Sequence, residues 1–348
     1  MRFRVTTPLG TVLAVSELLT VAIPTRDPEP GRWRAVLEGL ASQTLGDAAW
    51  ELCVVDNGSA TPPSLDALPS RIGRRMFREE KPGLLWARLA AMKNTRAPLL
   101  LFLDDDTVPD PDALEAAARF MTAHPTVGAA GGRIVPRYES PPPEWISEVE
   151  WALALRDFGK EELTWRRSQG GVFPVWTPIG AGLMLRREAL DSYYRHVETY
   201  GERIQEVSWT GKGTGGNEDK DLVLLLLSNG WAVGYAPEFR LTHLISAERL
   251  RLEYFERLVP ALGRMWMRTS YAHGFEAFSP VSPASLRLRQ AKAWWVCRAW
   301  RGPRERLRWL NTCGHLAGLA AVRARPVRYP KELPLFGSAS SLGGSERA

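Results

Sequence analysis

The sequence predicts an α/β protein: a Rossmann-like, mixed but mainly parallel sheet flanked by helices, with a helical appendage at its C-terminal end. Three observations carry this. Between residues 18 and 55 an apolar run, a helical spacing and a second apolar run follow one another, which is a strand–helix–strand unit of a parallel sheet. Leu99-Leu100-Leu101-Phe102-Leu103 is apolar at every position, as in a strand buried on both faces. Beyond residue 246 such runs give way to long stretches with apolar residues at three- and four-residue steps.

Taken in order, residues 18–23 are an apolar run ended by Pro24-Thr25 and read as the first strand. Trp33, Val36, Leu37 and Leu40 recur at helical spacing within 32–43, and residues 50–55 form a second strand closed by Asp56-Asn57-Gly58-Ser59. Pro82-Gly83-Leu84 opens a helical stretch through Met92 that leads into the 99–103 strand; another helix is expected over 112–122. A short strand at 127–130 precedes Gly131-Gly132, the proline-rich 138–144 reads as a loop, and the apolar, irregular 145–158 as a helix. Gln169-Gly170-Gly171 breaks the chain before an extended stretch over 175–185, in which Gly180-Ala181-Gly182 marks the close approach of another backbone or a ligand. The glycine-rich 211–217 lacks P-loop order, because no GK[ST] closes it and no apolar strand precedes it. It reads instead as a mobile loop delivering Glu218 and Asp219 to a helix over 220–228. Extended runs at 231–235 and 239–242 lead to His243, and helices follow over 250–267, 286–300 and 304–322. The chain thus divides into a catalytic domain at 1–246, a basic, tryptophan-rich helical region at 247–336 and a Gly/Ser-rich, disordered tail at 337–348.

A chain of 348 residues can bury a large core. Its three cysteines are odd in number and lack CxxC spacing, so they read as reduced thiols with neither a disulfide framework nor a zinc site. Glu17 interrupts the apolar N-terminal run and no small-residue cleavage site follows, which argues against a signal peptide. The 222–227 leucine run is too short to span a bilayer, and a cytoplasmic location is expected. Charge is unevenly spread: residues 247–348 hold 18 Lys and Arg against 7 Asp and Glu, whereas 1–246 hold 27 against 32. An acidic body with a basic tail points to an anionic surface near the C-terminal end.

The chemistry concentrates at Asp104-Asp105-Asp106, where the 99–103 strand ends at the sheet edge that open α/β folds use for ligands. Three adjacent carboxylates raise one another's pKa, so something cationic must hold them together. A hard divalent cation beside a phosphate-bearing substrate answers that need. A solvated acidic turn before a helix is the plainer reading. Asp56 reaches the same edge, although a lone aspartate at a strand end also serves as a turn former.

Asp56, the Asp104–Asp106 cluster, Glu218-Asp219 and His243 stand in an order that resembles the family 2 glycosyltransferases of GT-A fold. The matching segments are VAIPT (21–25), VVDNGS (54–59), LLLFLDDDTVPDP (99–111), PIGAGLMLRREAL (178–190), GGNEDKDL (215–222) and GWAVGYAPEFRLTH (230–243). GGRIVPRYESPPPEW and IGAGLMLRRE also look like the branch associated with hormogonium and other surface polysaccharides. The resemblance implies a metal-dependent, inverting transfer from a nucleotide-sugar, of UDP type, to a glycan or lipid-linked acceptor, with Mn²⁺ or Mg²⁺ as cofactor. It implies that Pro24, Thr25 and Asp56 bind the nucleotide, that Lys81 and Arg88 lie near the donor, and that Asp104 and Asp105 face ribose and sugar. Asp106 would ligate the metal with His243, while Asp219 would be the base, beside Gly180, Ala181, Gly182 and Glu218 on the acceptor side. His243 also reads as a hydrogen-bonded histidine at a strand end. Arg26-Asp27-Pro28 departs from the polar or aromatic pair many members carry there.

Two other readings compete. Asp104-Asp105-Asp106-Thr107-Val108 also fits haloacid-dehalogenase-like phosphatases, with Asp104 as nucleophile, but their later acidic pair ends an apolar strand and Glu218-Asp219 does not. A non-catalytic glycan-binding or scaffold protein is the other, against which every expected acidic residue is present. In the tail, Trp266, Trp294, Trp295, Trp300 and Trp309 alternate with arginines, which suits either peripheral docking on an anionic membrane or packing against the sheet. No nucleic-acid-binding module accompanies the arginines, so nucleic acid is not expected as a partner.

Overall fold

The computed structural model describes residues 17–169, 173–206, 216–275 and 278–329. The N-terminal run before Glu17, most of the glycine-rich 211–217 stretch and the 337–348 tail therefore lie outside the described residues. The described elements are β1 (Leu19–Thr25), α1 (Pro30–Ala41), β2 (Trp50–Asp56), β3 (Gly73–Arg78), α2 (Leu84–Asn94), β4 (Leu99–Leu103), β5 (Thr107–Pro109), α3 (Ala113–Ala123) and β6 (Val127–Tyr138). They continue with β7 (Leu163–Trp165), β8 (Gly182–Arg186), α4 (Asp191–Gln205), α5 (Glu218–Ser228), β9 (Ala232–Ile245), α6 (Leu252–Ala272), α7 (Leu286–Cys297) and α8 (Pro303–Ala324).

The strands form one mixed sheet in the order β3-β2-β1-β4-β8-β6-β9-β5, with β7 also on β9. β1, β2, β3 and β4 run parallel, and every residue of β1, β2 and β4 is buried, which is why their alternation is lost. Register then positions the chemistry. Thr25 pairs with Asp56, and Ala22 with Phe102, so Thr25, Asp56 and the residues after Leu103 emerge at one carboxyl edge. β8 runs antiparallel to β4 with Gly182 opposite Leu103, which brings the turn before it to that edge. β5 runs antiparallel to β9 with Thr107 opposite His243, so His243 lands beside Asp106. Where β6 and β9 slip register after Gly132, the strands close in: a Cβ on Gly132 would lie 1.9 Å from the Phe239 carbonyl oxygen.

The structure departs from the sequence reading in several places. Residues 145–158 are not one helix but two short 3₁₀ turns, Glu144–Glu148 and Glu150–Leu153; Ala154 then enters the left-handed region at φ 59° and Arg156 bridges to Ile134. Within 175–185 only the part from Gly182 onward is strand. β6 runs through Tyr138, and β9 joins the two extended runs expected near 231–242. β3 and α4 went unread because GRRMFR is a polar, exposed edge strand and α4 carries few apolar residues.

The C-terminal helices pack on the rest of the chain through a cluster joining Ile146, Val149 and Leu153 to Phe255, Val259 and Leu307. The small residues of α8 mark its crossing with α6: a Cβ on Gly314 would lie 2.3 Å from the Pro260 carbonyl oxygen. Trp309 packs edge-on against Trp294 at 4.9 Å, and Trp266 packs at 5.2 Å from Phe173. Trp295 and Trp300, in contrast, are exposed, as are Leu288 and Val296. Among the described residues no helix is long and apolar enough to cross a membrane.

Candidate active site

The carboxyl edge of the sheet opens into a cavity of about 710 Å³. Pro24, Thr25, Asn57 and Arg88 line it together with Asp104–Asp106, Gly180, Ala181, Glu218, Asp219, His243 and Arg249. Most of the residues singled out in the sequence therefore meet in one place. Asp56, Lys81 and Gly182 do not line it. The Asp56 carboxylate is buried, accepting from Ser59 N–H at 2.8 Å and pairing with Arg78 at 2.9 Å. Lys81 places its Nζ 3.3 Å above the Trp86 ring, and Gly182 lies inside β8.

The three adjacent aspartates are held differently. Asp104 faces Arg88 across 3.8 Å; withdrawal from water pushes its carboxyl up, against the pull of that guanidinium. Asp105 accepts a short hydrogen bond from the Thr25 hydroxyl, and burial with the neighbouring Asp106 charge pushes it up to about 7. Burial would raise Asp106 too, but the facing His243 ring and Arg249 guanidinium reverse this and hold its carboxyl well below the usual range. Asp106 lies 3.4 Å from His243 Nε2 and 3.0 Å from Arg249 Nη1.

His243 Nδ1 lies 2.8 Å from the Leu153 carbonyl, while Arg249 Nη1 lies 3.1 Å from its Nε2. A carbonyl can only accept, so Nδ1 carries a proton; Nε2 then faces Asp106 and Arg249, donating to the carboxylate in the charged ring and offering a lone pair in the neutral one. That neutral tautomer, fixed by a backbone carbonyl, is the one metal-binding histidines use. Asp106 and His243 are thus an oxygen and a nitrogen donor that would hold a divalent cation. The Arg249 guanidinium now supplies the positive charge between them. Arg249 was missed as a site residue because it sits just beyond the strand run, in what reads as basic tail.

Asp219 lines the same cavity from the first turn of α5, where a helix N-terminus favours negative charge. Its two oxygens accept from the backbone N–H of Gly180 at 2.8 Å and of Lys220 at 2.7 Å. Glu218 is buried and paired with Arg88 at 3.0 Å, so Arg88 spans the acidic wall and the helix. Gly180 is required by that arrangement: a Cβ there would lie 2.0 Å from Arg88 Nη2.

Behind Asp219, the buried Asp221 joins His196 of α4 at 3.1 Å and His273 at 2.8 Å, with Tyr329 packed on both rings. Burial works against that carboxylate, yet His273 and His196 hold it well below the usual range. This cluster ties α5 to α4 and to the end of α6. Only the spacing Glu218-Asp219-Lys220-Asp221 hinted at it, since the two histidines are distant in sequence.

The family model for glycosyl transferase family 2 matches residues 20–194, half of the chain, and the chain belongs to that family. The mixed sheet flanked by helices is accordingly of GT-A type, and the phosphatase reading of Asp104 falls away. The matched span includes Thr25, Asp56 and Asp104–Asp106, whereas Asp219 and His243 lie beyond it. Among curated relatives, an N-acetylglucosaminyltransferase of Mesorhizobium japonicum is 29% identical over 236 residues, covering 63% of this chain and 49% of that protein. Another from Azorhizobium caulinodans is 28% identical over 194 residues, 53% of this chain and 45% of the relative. The chain therefore spans about half the length of the curated relatives it matches. Among solved structures, the mannosyltransferase PcManGT from Pyrobaculum calidifontis in complex with GDP-Man and Mn²⁺ aligns with a TM-score of 0.48 at 18% identity, over 88% of this chain and 75% of that one. S. aureus TarS 1-349 in complex with UDP aligns at 0.45 and 14% identity, over 90% and 93%. Neither likeness is close enough to say anything of this chain's chemistry.

Proposed function

We propose that this chain moves a sugar, with inversion, from a UDP-type nucleotide-sugar to a hydroxyl of a glycan or lipid-linked acceptor in cell-surface polysaccharide synthesis. The observation that carries this reading is the convergence of Asp104–Asp106 and Asp219 on one cavity. The relatives' name makes N-acetylglucosamine the first donor sugar to try. The catalytic unit is centred on residues 1–246, and the appended 247–336 contributes Arg249, Tyr254 and Leu258 to the same cavity.

In this mechanism Pro24 and Thr25 line the nucleotide pocket, and Asp56, buried outside the cavity wall and paired with Arg78, supports Thr25 from the neighbouring strand. Lys81 and Arg88 set the charge around the donor, and Asp104 and Asp105 face its sugar and ribose. Asp106 and His243 would hold Mn²⁺ or Mg²⁺. When bound, the ion neutralises charge on the departing diphosphate. Asp219 takes the proton of the acceptor hydroxyl. The oxygen's electron pair forms the new bond to the anomeric carbon, and the old carbon–oxygen bond leaves with its pair on the nucleoside diphosphate. Gly180, Ala181 and Glu218 shape the acceptor side, and Gly182 carries that turn into β8. The test is a panel of nucleotide-sugars incubated with the protein, Mn²⁺ and a glycan acceptor, reading nucleotide release. Release from one donor above the rest is expected; no release from any would overturn the reading.

The exposed Leu288, Trp295, Val296 and Trp300 of α7 and the turn after it are interleaved with exposed Arg287, Lys292 and Arg298. Tryptophan favours the membrane interface, and each basic residue near an anionic leaflet contributes about 1 kcal/mol. This supports peripheral docking on the inner face of the cell membrane. The protein is expected to sediment with anionic vesicles at low salt and to be released at high salt. Sedimentation equal to that with neutral vesicles would leave α7 a purely structural element.

A further inference from the structure

A second, larger cavity of about 1150 Å³ lies back to back with the first. The two share walls: Leu153 and Ala154 line one and Leu155 and Arg156 the other, and Asp219 lines one and Lys220 the other. The larger cavity is lined by aromatic faces, among them Trp151, Phe158, Phe173 and Trp266, of which Trp151 is the most exposed. Flat aromatic surfaces beside polar groups suit pyranose rings, whose faces carry C–H groups and whose edges carry hydroxyls.

The charges there are unbalanced. The Arg156 guanidinium donates only to the carbonyl of Leu155, at 2.7 Å, and its buried Nε has no partner among the described residues. Burial pulls its pKa down to about 10, with Asp219 opposing. Arg167 donates to Ser228 and to the carbonyls of His273 and Gly274, and stacks on Phe275. Lys220 reaches only Thr177 Oγ1 at 3.2 Å and the Pro178 carbonyl at 3.3 Å. Burial and the neighbouring Arg156 pull Lys220 down to about 7, against Asp219, and none of the three basic groups is ion-paired with a carboxylate among the described residues. The carboxylates of the same cavity are engaged elsewhere: Asp157 pairs with Arg133 at 2.7 Å, and Glu150 accepts from the Tyr138 hydroxyl at 3.4 Å. Arg156 and Lys220 feel Asp219 across the shared wall but have no carboxylate within ion-pair distance among the described residues, so an anion entering the groove meets donors that are not yet taken.

We infer that this groove binds an acidic glycan, a sugar chain whose rings lie on the aromatic faces and whose carboxylate or phosphate meets Arg156 and Lys220. This deepens the transferase reading and rests on it, because such a chain would enter as the acceptor, behind Asp219. Arg167 lies too firmly in its carbonyl contacts to leave them and adds long-range charge.

The test is calorimetric titration of the full chain with a galacturonic acid tetramer, the uncharged N-acetylglucosamine tetramer and N-acetylglucosamine 1-phosphate. The acidic tetramer or the sugar phosphate is expected to bind at least about tenfold more tightly than the uncharged tetramer, and less tightly as salt rises. Whichever of the two binds better identifies the anion as carboxylate or phosphate. Arg156→Gln, which breaks no internal ion pair, and Trp151→Ala, at an exposed position, are each expected to weaken the preferred acidic ligand by about tenfold. Equal affinity for charged and uncharged ligands, no binding of any, or unchanged affinity in Arg156→Gln would overturn the inference. Nucleotide release without acceptor is measured on the same wild-type preparation. Release without acidic-ligand selectivity refutes this inference alone; selectivity without release refutes the transferase reading and leaves the groove's preference standing.

Discussion

Asp219→Asn is expected to slow sugar transfer by about 10²–10⁴-fold while leaving nucleotide-sugar affinity within a few-fold, the usual cost of losing a positioned base. Asp219 is placed for the task by two backbone donors, Gly180 N–H and Lys220 N–H, one on each oxygen. It lines the same cavity as the Asp104–Asp106 cluster, where an acceptor hydroxyl would approach. Asparagine keeps the shape but cannot take a proton, and one of its two positions must face an N–H donor. The variant's thermal midpoint is therefore measured beside its activity, so that a shift in α5 is seen as such. Near wild-type transfer in a folded Asp219→Asn protein would move the role to Glu218. That residue is the weaker candidate, because it is buried against Arg88 at 3.0 Å and its removal would leave the arginine without that partner.

Chelation of divalent cations, or Asp106→Ala, is expected to lower turnover by on the order of 10³-fold, since Lewis-acid stabilisation of a leaving group is worth several kcal/mol. The expectation rests on the carboxylate held ionised beside a histidine whose Nε2 faces it. His243→Ala should weaken Mn²⁺ binding with a smaller loss, because Asp106 and diphosphate oxygens would remain as ligands. Direct titration of Mn²⁺ in the presence of UDP separates lost metal from lost fold. Full activity with chelator and in Asp106→Ala would remove the metal from the account and leave Arg249 as the cation that answers Asp106.

Much of this site was legible in the sequence for a physical reason: doubly buried parallel strands must be apolar throughout, so Leu99–Leu103 announced itself and Asp104–Asp106 inherited a place at its carboxyl end. Glu218 and Asp219 were legible as the start of a helix after glycine. What register creates was not legible in local pattern, and only the family resemblance joined His243 to Asp106. His243 stands beside Asp106 because β5 and β9 pair antiparallel with Thr107 opposite it, a pairing no local pattern encodes. The same holds for His196 and His273, brought to Asp221 from 25 and 52 residues away. Arg249 was hidden by its neighbours, since a basic residue in a basic stretch carries no signal of its own. The helix expected over 145–158 failed because apolar content without periodicity does not separate a helix from a string of 3₁₀ turns, and Ala154 at φ 59° ends any helix there.

The stereochemistry of the product tests the central claim most directly. If Asp219 deprotonates the acceptor while the diphosphate leaves from the opposite face, the transfer is a single displacement. Proton NMR of the first product from an α-linked nucleotide-sugar is then expected to show the β-anomer; a product that keeps the α configuration would contradict the account.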